Sequence, residues 1–472
     1  MRLLFPVIDI DIEHISIMLL SALLKQYGCF VKVIGADHAR VCRELNKGSY
    51  DVLAYSSPTV FFNEYLQLNR QVKEKYDIFT LFGGAHPTFV PEIIQDKSID
   101  CVCRGEGEYA ILELIKALSE KTNIRNIANL YVKEDGIIYR NPPRPLIEDL
   151  DTLPFPDRDL FPDNETYCKG KMHVITGRGC PYSCSYCSHP AYSRLYGHRA
   201  NVIRRRSPEN VIDEICRMKE KTDIRLVMFE DDLFISSREW LDEFTSLYSL
   251  EVGIPFFCYV RADLIAEENV KLLKKAGCIA MSMGLETADD RLRNDILKRG
   301  MSRESIVKAA GCIKREGIRL EMTNIIGIPT GSLADDFKTL QMNVDLRPGY
   351  SSVKLLMPYP QTEIHKFSED NNMLDDNIDH LEPGKTPFLF ESVNEKRAVE
   401  NLRKLFALTV EWPFILPIVK KLIYLPLEKL YSCFFIVWEG YTSYFRLYPT
   451  GHKGFVYGIK KYWHRVLRKN TL

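Results

Sequence analysis

Short β-type runs separated by helix-spaced stretches recur along the first 370 residues, and that alternation leaves few folds open. MRLLFPVI, FVKVIG, DVLAYSS, FTLFGG and DCVCRG are apolar runs of strand length. Between them, Ile15 to Gln26, Glu64 to Lys75 and Tyr109 to Leu118 carry apolar residues at helical spacing. Such alternation predicts a parallel sheet with helices on its faces. Sheets of this kind bind ligands where the carboxyl ends of strands meet loops. A second block starts near Met172, with MHVITG, IRLVMF, FFCYVR, IAMSMGLE, RLEMTNIIG and SSVKLLMP as strands. Six strand–helix signals in about 200 residues predict a partial (β/α)6 barrel of the TIM type, because a closed eight-fold barrel takes about 250.

The expected class is α/β. A Rossmann-like domain covers 1–145 and ends in a hairpin, YVKEDGIIYR, turning at Asp135-Gly136. A Pro- and Asp-rich linker covers 146–171. The partial barrel covers 172–370, and a helical C-terminal subdomain covers 371–472. Lys+Arg and Asp+Glu both number 63, so net charge gives no argument for a nucleic-acid partner. The N-terminus lacks a basic segment followed by an apolar one, which reads as no secretory signal and predicts a reducing cytoplasm. There, clustered cysteines point to metal or redox chemistry, and the 13 cysteines cannot all pair.

The cluster is Thr176-Gly177-Arg178-Gly179-Cys180-Pro181-Tyr182-Ser183-Cys184-Ser185-Tyr186-Cys187, directly after the first barrel strand. Cys180, Cys184 and Cys187 can hold three corners of a cubane. A four-iron cluster normally takes four cysteines, so one iron stays open, as in catalytic zinc sites that keep a free position. The alternative is a zinc knuckle with His189 as fourth ligand, although zinc favours paired C-x2–4-C elements. The spacing, with Tyr186 before the third cysteine, resembles the signature of radical S-adenosylmethionine (SAM) enzymes. That resemblance implies a [4Fe–4S] cluster whose open iron chelates SAM, and a one-electron cleavage to methionine and a 5′-deoxyadenosyl radical.

Later strand ends carry further SAM-site candidates. Phe229-Glu230-Asp231-Asp232 resembles an acidic version of the family's methionine-contacting segment, and three acids suit an ammonium group. Asp232 also suits a helix N-cap. Arg261 could fork onto the SAM carboxylate or pair with Asp263. Gly284-Leu285-Glu286-Thr287 is similar to the ribose-proximal segment, with Glu286 accepting from ribose hydroxyls. Gly327-Ile328-Pro329-Thr330-Gly331-Ser332 and Pro358-Tyr359-Pro360-Gln361-Thr362 resemble later family turns, the first without its glutamate.

In the N-terminal block, Gly83, Gly84, His86 and Thr88 lie after one strand, and Gly105 and Glu106 after the next. Glycines there let backbone approach a bulky ligand. Ahead of a radical SAM cluster, the pair of turns resembles the cobalamin-binding domain of the cobalamin-dependent branch. No Asp-x-His-x-x-Gly segment is present, so no imidazole is expected beneath the cobalt. His86 is expected to line the pocket or to hydrogen-bond the corrin.

The implied cofactors are the [4Fe–4S] cluster, SAM and cobalamin. The implied reaction is methyl transfer to an unactivated carbon of a small-molecule or lipid-like substrate, with a flavodoxin- or ferredoxin-type reductant. A cobalamin-dependent cyclase or oxidase, a cobalamin-sensing module and a zinc-binding interaction protein are the alternatives.

No 18-residue apolar run suggests a membrane span. Residues 440–472 contain seven Lys/Arg and no acid. The tail KGFVYGIKKYWHRVLRKN suits an interfacial helix near anionic lipid or a core helix with a solvated basic face. Cytoplasmic location with peripheral membrane contact is the corresponding expectation.

Overall fold

In the computed structural model, strands β1 to β7 are Arg2–Val7, Phe30–Gly35, Val52–Ser56, Phe79–Gly83, Cys101–Cys103, Leu130–Glu134 and Ile137–Arg140. The structure describes residues 1–10, 12–161, 170–198, 202–375 and 384–447. The seven strands form one sheet in the order β2-β1-β3-β4-β5-β6-β7. The β1–β5 pairings are parallel, whereas β5–β6 and β6–β7 are antiparallel. Period-two alternation divides the side chains between two cores. Leu3, Phe5, Val7, Val52 and Ala54 enter one, and Leu4, Leu53 and Tyr55 the other. Burial on both faces accounts for the near-continuous apolar runs. Helices Ile15–Gln26, Phe62–Lys73 and Glu108–Glu120 lie at or within a few residues of the stretches their spacing predicts.

The second block contains β8 (Lys171–Val174), β9 (Gly177–Arg178), β10 (Arg204–Arg205), β11 (Leu226–Phe229), β12 (Phe256–Val260), β13 (Cys278–Glu286), β14 (Arg319–Ile326) and β15 (Tyr350–Leu355). Six of these make a parallel sheet in the order β15-β14-β13-β12-β11-β8. The sheet stays open between β8 and β15 among the described residues, as a partial barrel requires. One face packs Val227, Phe229, Phe256, Cys258, Met281 and Met322 into the main core. The opposite face carries a small cluster of Leu226, Met228, Phe257 and Ala280. β9 and β10 form a separate antiparallel ribbon.

Helices Val393–Glu411, Leu416–Leu422 and Glu428–Tyr441 follow. Ala398, Leu402 and Phe406 of the first join Val353 and Leu355 of β15 in one core. By its contacts the chain divides into two compact units. One is Met1–Glu165 with Ser188–Val202 and Tyr359–Gln361, and the other is Thr166–Cys187 with Ile203–Pro358 and Thr362–Leu472. No helix among the described residues is long and apolar enough to cross a membrane. Part of the expected linker and the basic tail beyond residue 447 lie outside the described residues.

Candidate active site

The cysteine loop leaves β8 through Thr176 and the β9–β10 ribbon. Asp231, at the end of β11, holds that exit. Its Oδ1 and Oδ2 accept from the Thr176 N–H at 3.0 and 3.2 Å, and Oδ1 accepts from Thr176 Oγ1 at 2.8 Å. Arg205 stands 3.7 Å away. Burial pushes the Asp231 carboxyl up to about 6, with Arg205 and Thr176 pulling the other way. Asp231 is thus a positioning residue for the loop. Its neighbours differ: Glu230 Oε1 lies 2.7 Å from His173 Nδ1, and Asp232 is exposed.

Farther along the loop, Ser185 ties it to the turn before Lys298. Its N–H donates to Leu297 O at 3.1 Å and its hydroxyl to Ile296 O at 2.6 Å. Between these ties lies Cys184, 6% exposed. Two guanidiniums meet its sulfur: Arg261 Nη1 at 3.8 Å and Arg299 Nη1 at 3.9 Å. Arg261 also pairs with Asp263 at 2.8 Å and stacks 3.6 Å from the Tyr182 ring centroid. The Asp263 pair expected as the alternative for this arginine is present, and one guanidinium nitrogen, Nη1, meets the Cys184 sulfur.

Arg299 organises the rest. It donates to Tyr186 OH at 3.1 Å and to Gly284 O at 3.1 Å, and sits 3.6 Å from Glu286 Oε1. Tyr186 OH donates to Glu286 Oε1 at 3.1 Å. Glu286 has φ +61°, a left-handed conformation that costs a side-chain-bearing residue of order 1–3 kcal/mol. It coincides with a register shift in the β13–β14 pairing. Burial pushes the Glu286 carboxyl up, and Arg299 is the main group pulling it back.

These surroundings fit an anionic iron–sulfur cluster and a zwitterionic nucleotide. Cationic groups converge on a cluster-type thiol, and the buried Arg299 Nε has no hydrogen-bond partner among the described residues. No group of three His, Cys, Asp or Glu among the described residues could hold a single metal ion. A cubane takes each thiolate at a different iron, so its ligands need not converge on one point.

In the N-terminal unit a cavity of about 280 Å³ opens at the ends of β1, β3 and β4, lined by Asp9, His14, Ser56, Ser57, Tyr65 and Gly84 among others. Drug-sized ligands occupy about 300–1,000 Å³, so this half-open cavity is at the small end of that range. Gly84 has φ +97°, and a Cβ there would stand 2.8 Å from Ser57 N. Glycine is therefore obligatory for this close approach. Of the six residues singled out in the sequence, Gly84 alone is among the lining residues.

His86 is buried and stacks on Phe62 at 4.0 Å. Burial lowers its pKa to about 4, and its Nδ1 has no partner among the described residues. Thr88 staples the two turns, donating to Gly84 O at 2.7 Å and accepting from the Gly105 N–H at 3.0 Å. A Cβ on Gly105 would collide with the Tyr196 hydroxyl, which accepts from the Glu106 N–H at 3.0 Å. Glu106 Oε2 accepts from the Ile147 N–H at 2.8 Å, tying the turn to the linker. Gly83 closes β4 beside Cys103.

Sequence reasoning passed over Arg299, Thr176, Ser185, Asp9 and His14. Asp9 follows the first strand, and its place at a strand end was a usable signal. Arg299 lies 13 residues beyond Glu286, with no local pattern marking it.

The profile of the radical SAM superfamily matches residues 174–341, and that of the B12 binding domain matches residues 1–115. An uncharacterized methyltransferase of Pyrococcus horikoshii is 28% identical over 344 residues, covering 72% of this chain and 73% of that protein. The anaerobic magnesium-protoporphyrin IX monomethyl ester cyclase of Rubrivivax gelatinosus is 28% identical over 313 residues, covering 63% of this chain and 54% of the cyclase. Among solved structures, the cobalamin-dependent SAM radical enzyme OxsB, with aqua-cobalamin and SAM bound, superposes with a TM-score of 0.69 at 16% identity. The match covers 100% of this chain and 75% of OxsB, and at that identity it shows the fold. With a B12-binding domain followed by a radical SAM core, this chain belongs to the cobalamin-dependent radical SAM enzymes.

Proposed function

We propose that this enzyme transfers a methyl group to an unactivated carbon of a small-molecule or lipid-like substrate. When bound, the cluster with SAM supplies a hydrogen-abstracting radical and the corrinoid supplies the methyl group. Cys180, Cys184 and Cys187 hold the cluster. Arg261 and Arg299 set its electrostatic surroundings, and the field of two buried cations raises the tendency of a nearby centre to accept an electron. Tyr186 and Glu286, braced by Arg299, face the SAM nucleotide. Glu230 and Asp232, at the end of β11, meet its ammonium group in this reading, while Asp231 holds Thr176.

Residues 1–145 carry the corrinoid in this reading, with Gly84 and the neighbouring strand ends approaching it. A flavodoxin- or ferredoxin-type protein delivers the electron. The observation that carries the reading is the convergence of two guanidiniums on Cys184 within a chain that also holds a B12-binding domain. The Rubrivivax relative favours a second reading, a cyclase or oxidase that transfers no methyl group.

The test is to incubate reconstituted enzyme, reductant and methyl-labelled SAM with a cell extract. Label in a new carbon-bound methyl group supports the first reading. Release of 5′-deoxyadenosine with substrate conversion but without label transfer supports the second.

A further inference from the structure

Exposed apolar side chains are concentrated in one short part of the chain. Of twenty-one exposed large hydrophobic residues among the described residues, ten lie between Trp412 and Tyr441. On the helix Glu428–Tyr441 they are Leu430, Phe434, Val437 and Tyr441, at steps of four, three and four, so they form a single stripe. About a quarter turn away, Tyr431 is 2% exposed and packs in the C-terminal core. Ahead of the helix, Phe414 is 78% exposed and Ile418 58%. Trp412, Trp438, Tyr441 and Phe445 make a ladder of ring contacts at 4.9, 5.6 and 5.6 Å. Contiguous apolar surface of this kind marks a partner or a membrane, and Trp with Tyr is the pairing enriched at the lipid–water boundary.

Charge decides between occupants. Lys420, Lys421 and Lys429 are exposed in the same stretch and make no ion pair among the described residues. Of the neighbouring acids, Glu411 pairs with Arg446 at 2.7 Å and Glu428 with Lys385 at 3.3 Å, and Glu439 lies on the side of its helix away from the stripe. A second copy docked about a twofold axis would set lysines against lysines. A layer of phosphate headgroups over acyl chains meets both the cations and the apolar stripe. Beyond residue 440 the sequence adds seven basic residues and no acid.

We propose that Trp412–Tyr441 is a docking face for the surface of an anionic lipid bilayer, on which the enzyme rests without spanning it. The proposal stands independently of whether methyl transfer or cyclisation is the reaction.

The experiment sediments the full-length, anaerobically purified protein with phosphatidylcholine vesicles, with and without phosphatidylglycerol. Binding to the anionic vesicles is expected to be at least about tenfold tighter. Leu430→Ser with Phe434→Ser weakens it about a hundredfold, and Lys420→Ala with Lys421→Ala about thirtyfold. All four side chains are exposed, so circular dichroism and cluster absorbance stay unchanged. Undiminished sedimentation of the Leu430→Ser/Phe434→Ser protein would overturn the assignment. So would equal binding to neutral vesicles. A vesicle-independent dimer that this double variant dissociates, with no lipid binding, would give the face to a second copy instead.

Discussion

At the strand ends of the N-terminal sheet the key position has no side chain: Gly84, at φ +97°, brings its backbone against Ser57. At the strand ends of the partial barrel the key positions are among the largest side chains available. Arg261, Arg299, Tyr186 and Glu286 interlock around Cys184. Both sheets place these loops at the carboxyl ends of parallel strands, so topology does not separate them. What differs is how each loop keeps its shape. One relies on backbone geometry that a single methyl group would spoil. The other relies on buried charges that balance only as a set.

The largest effect comes from removing the thiol at the centre of the charged set. Cys184→Ala is expected to reduce 5′-deoxyadenosine formation to background while corrinoid absorbance persists in the purified protein. Loss of both would show that the two regions are not independent and would break the comparison. Next, Arg299→Ala leaves Glu286 buried without its cation, a change that costs about 3–5 kcal/mol. Denaturant unfolding of the cluster-free protein measures it. Because burial already pushes the Glu286 carboxyl up, the cost shrinks at lower pH, where the carboxyl takes up a proton.

On the glycine side, Gly84→Ala adds strain of about 1–3 kcal/mol. It should weaken corrinoid retention at least about tenfold and leave iron content unchanged. Retained corrinoid would show that the close approach at Gly84 does not serve the ligand.

The smallest effect sharpens the charged side. Asp336, in the helix Leu333–Leu346, accepts from the Gly327 N–H at 3.2 Å, and burial pushes its carboxyl from 3.8 up to about 8. Between those values the folded chain keeps a proton that the unfolded chain has lost, so stability falls as pH rises. Melting temperatures across that window should decline less steeply for Asp336→Asn than for the parent. Identical slopes would show that the carboxyl is not desolvated.

Legibility followed the same division. The strands of both sheets could be read because apolar runs of strand length alternate with helical periodicity, and the helix Ile15–Gln26 begins and ends where its spacing predicts. The cysteine loop could be read because three cysteines fall within eight residues. Arg299 could not. It reaches Cys184 across 115 residues of sequence, and an arginine near a helix start carries no local mark of that contact. Glu230, Asp231 and Asp232 look alike in the sequence, yet Asp231 is spent on Thr176 while Asp232 is exposed. The cavity wall was similarly hidden. The glycine turns marked the ends of two strands, but Asp9 and His14 come from the loop after β1.

By itself the sequence determined the alternation of strands and helices, the order of the two sheets along the chain and the C-x3-C-x2-C spacing of Cys180, Cys184 and Cys187. Each is written in short-range periodicity or spacing, which local backbone geometry reads directly. Only the tertiary structure decided which arginine meets which thiol, which of three adjacent acids is committed, and that glycine is obligatory at Gly84. Those outcomes depend on groups far apart in the chain being desolvated together, and the cost of burying a charge is set by whatever else is buried beside it.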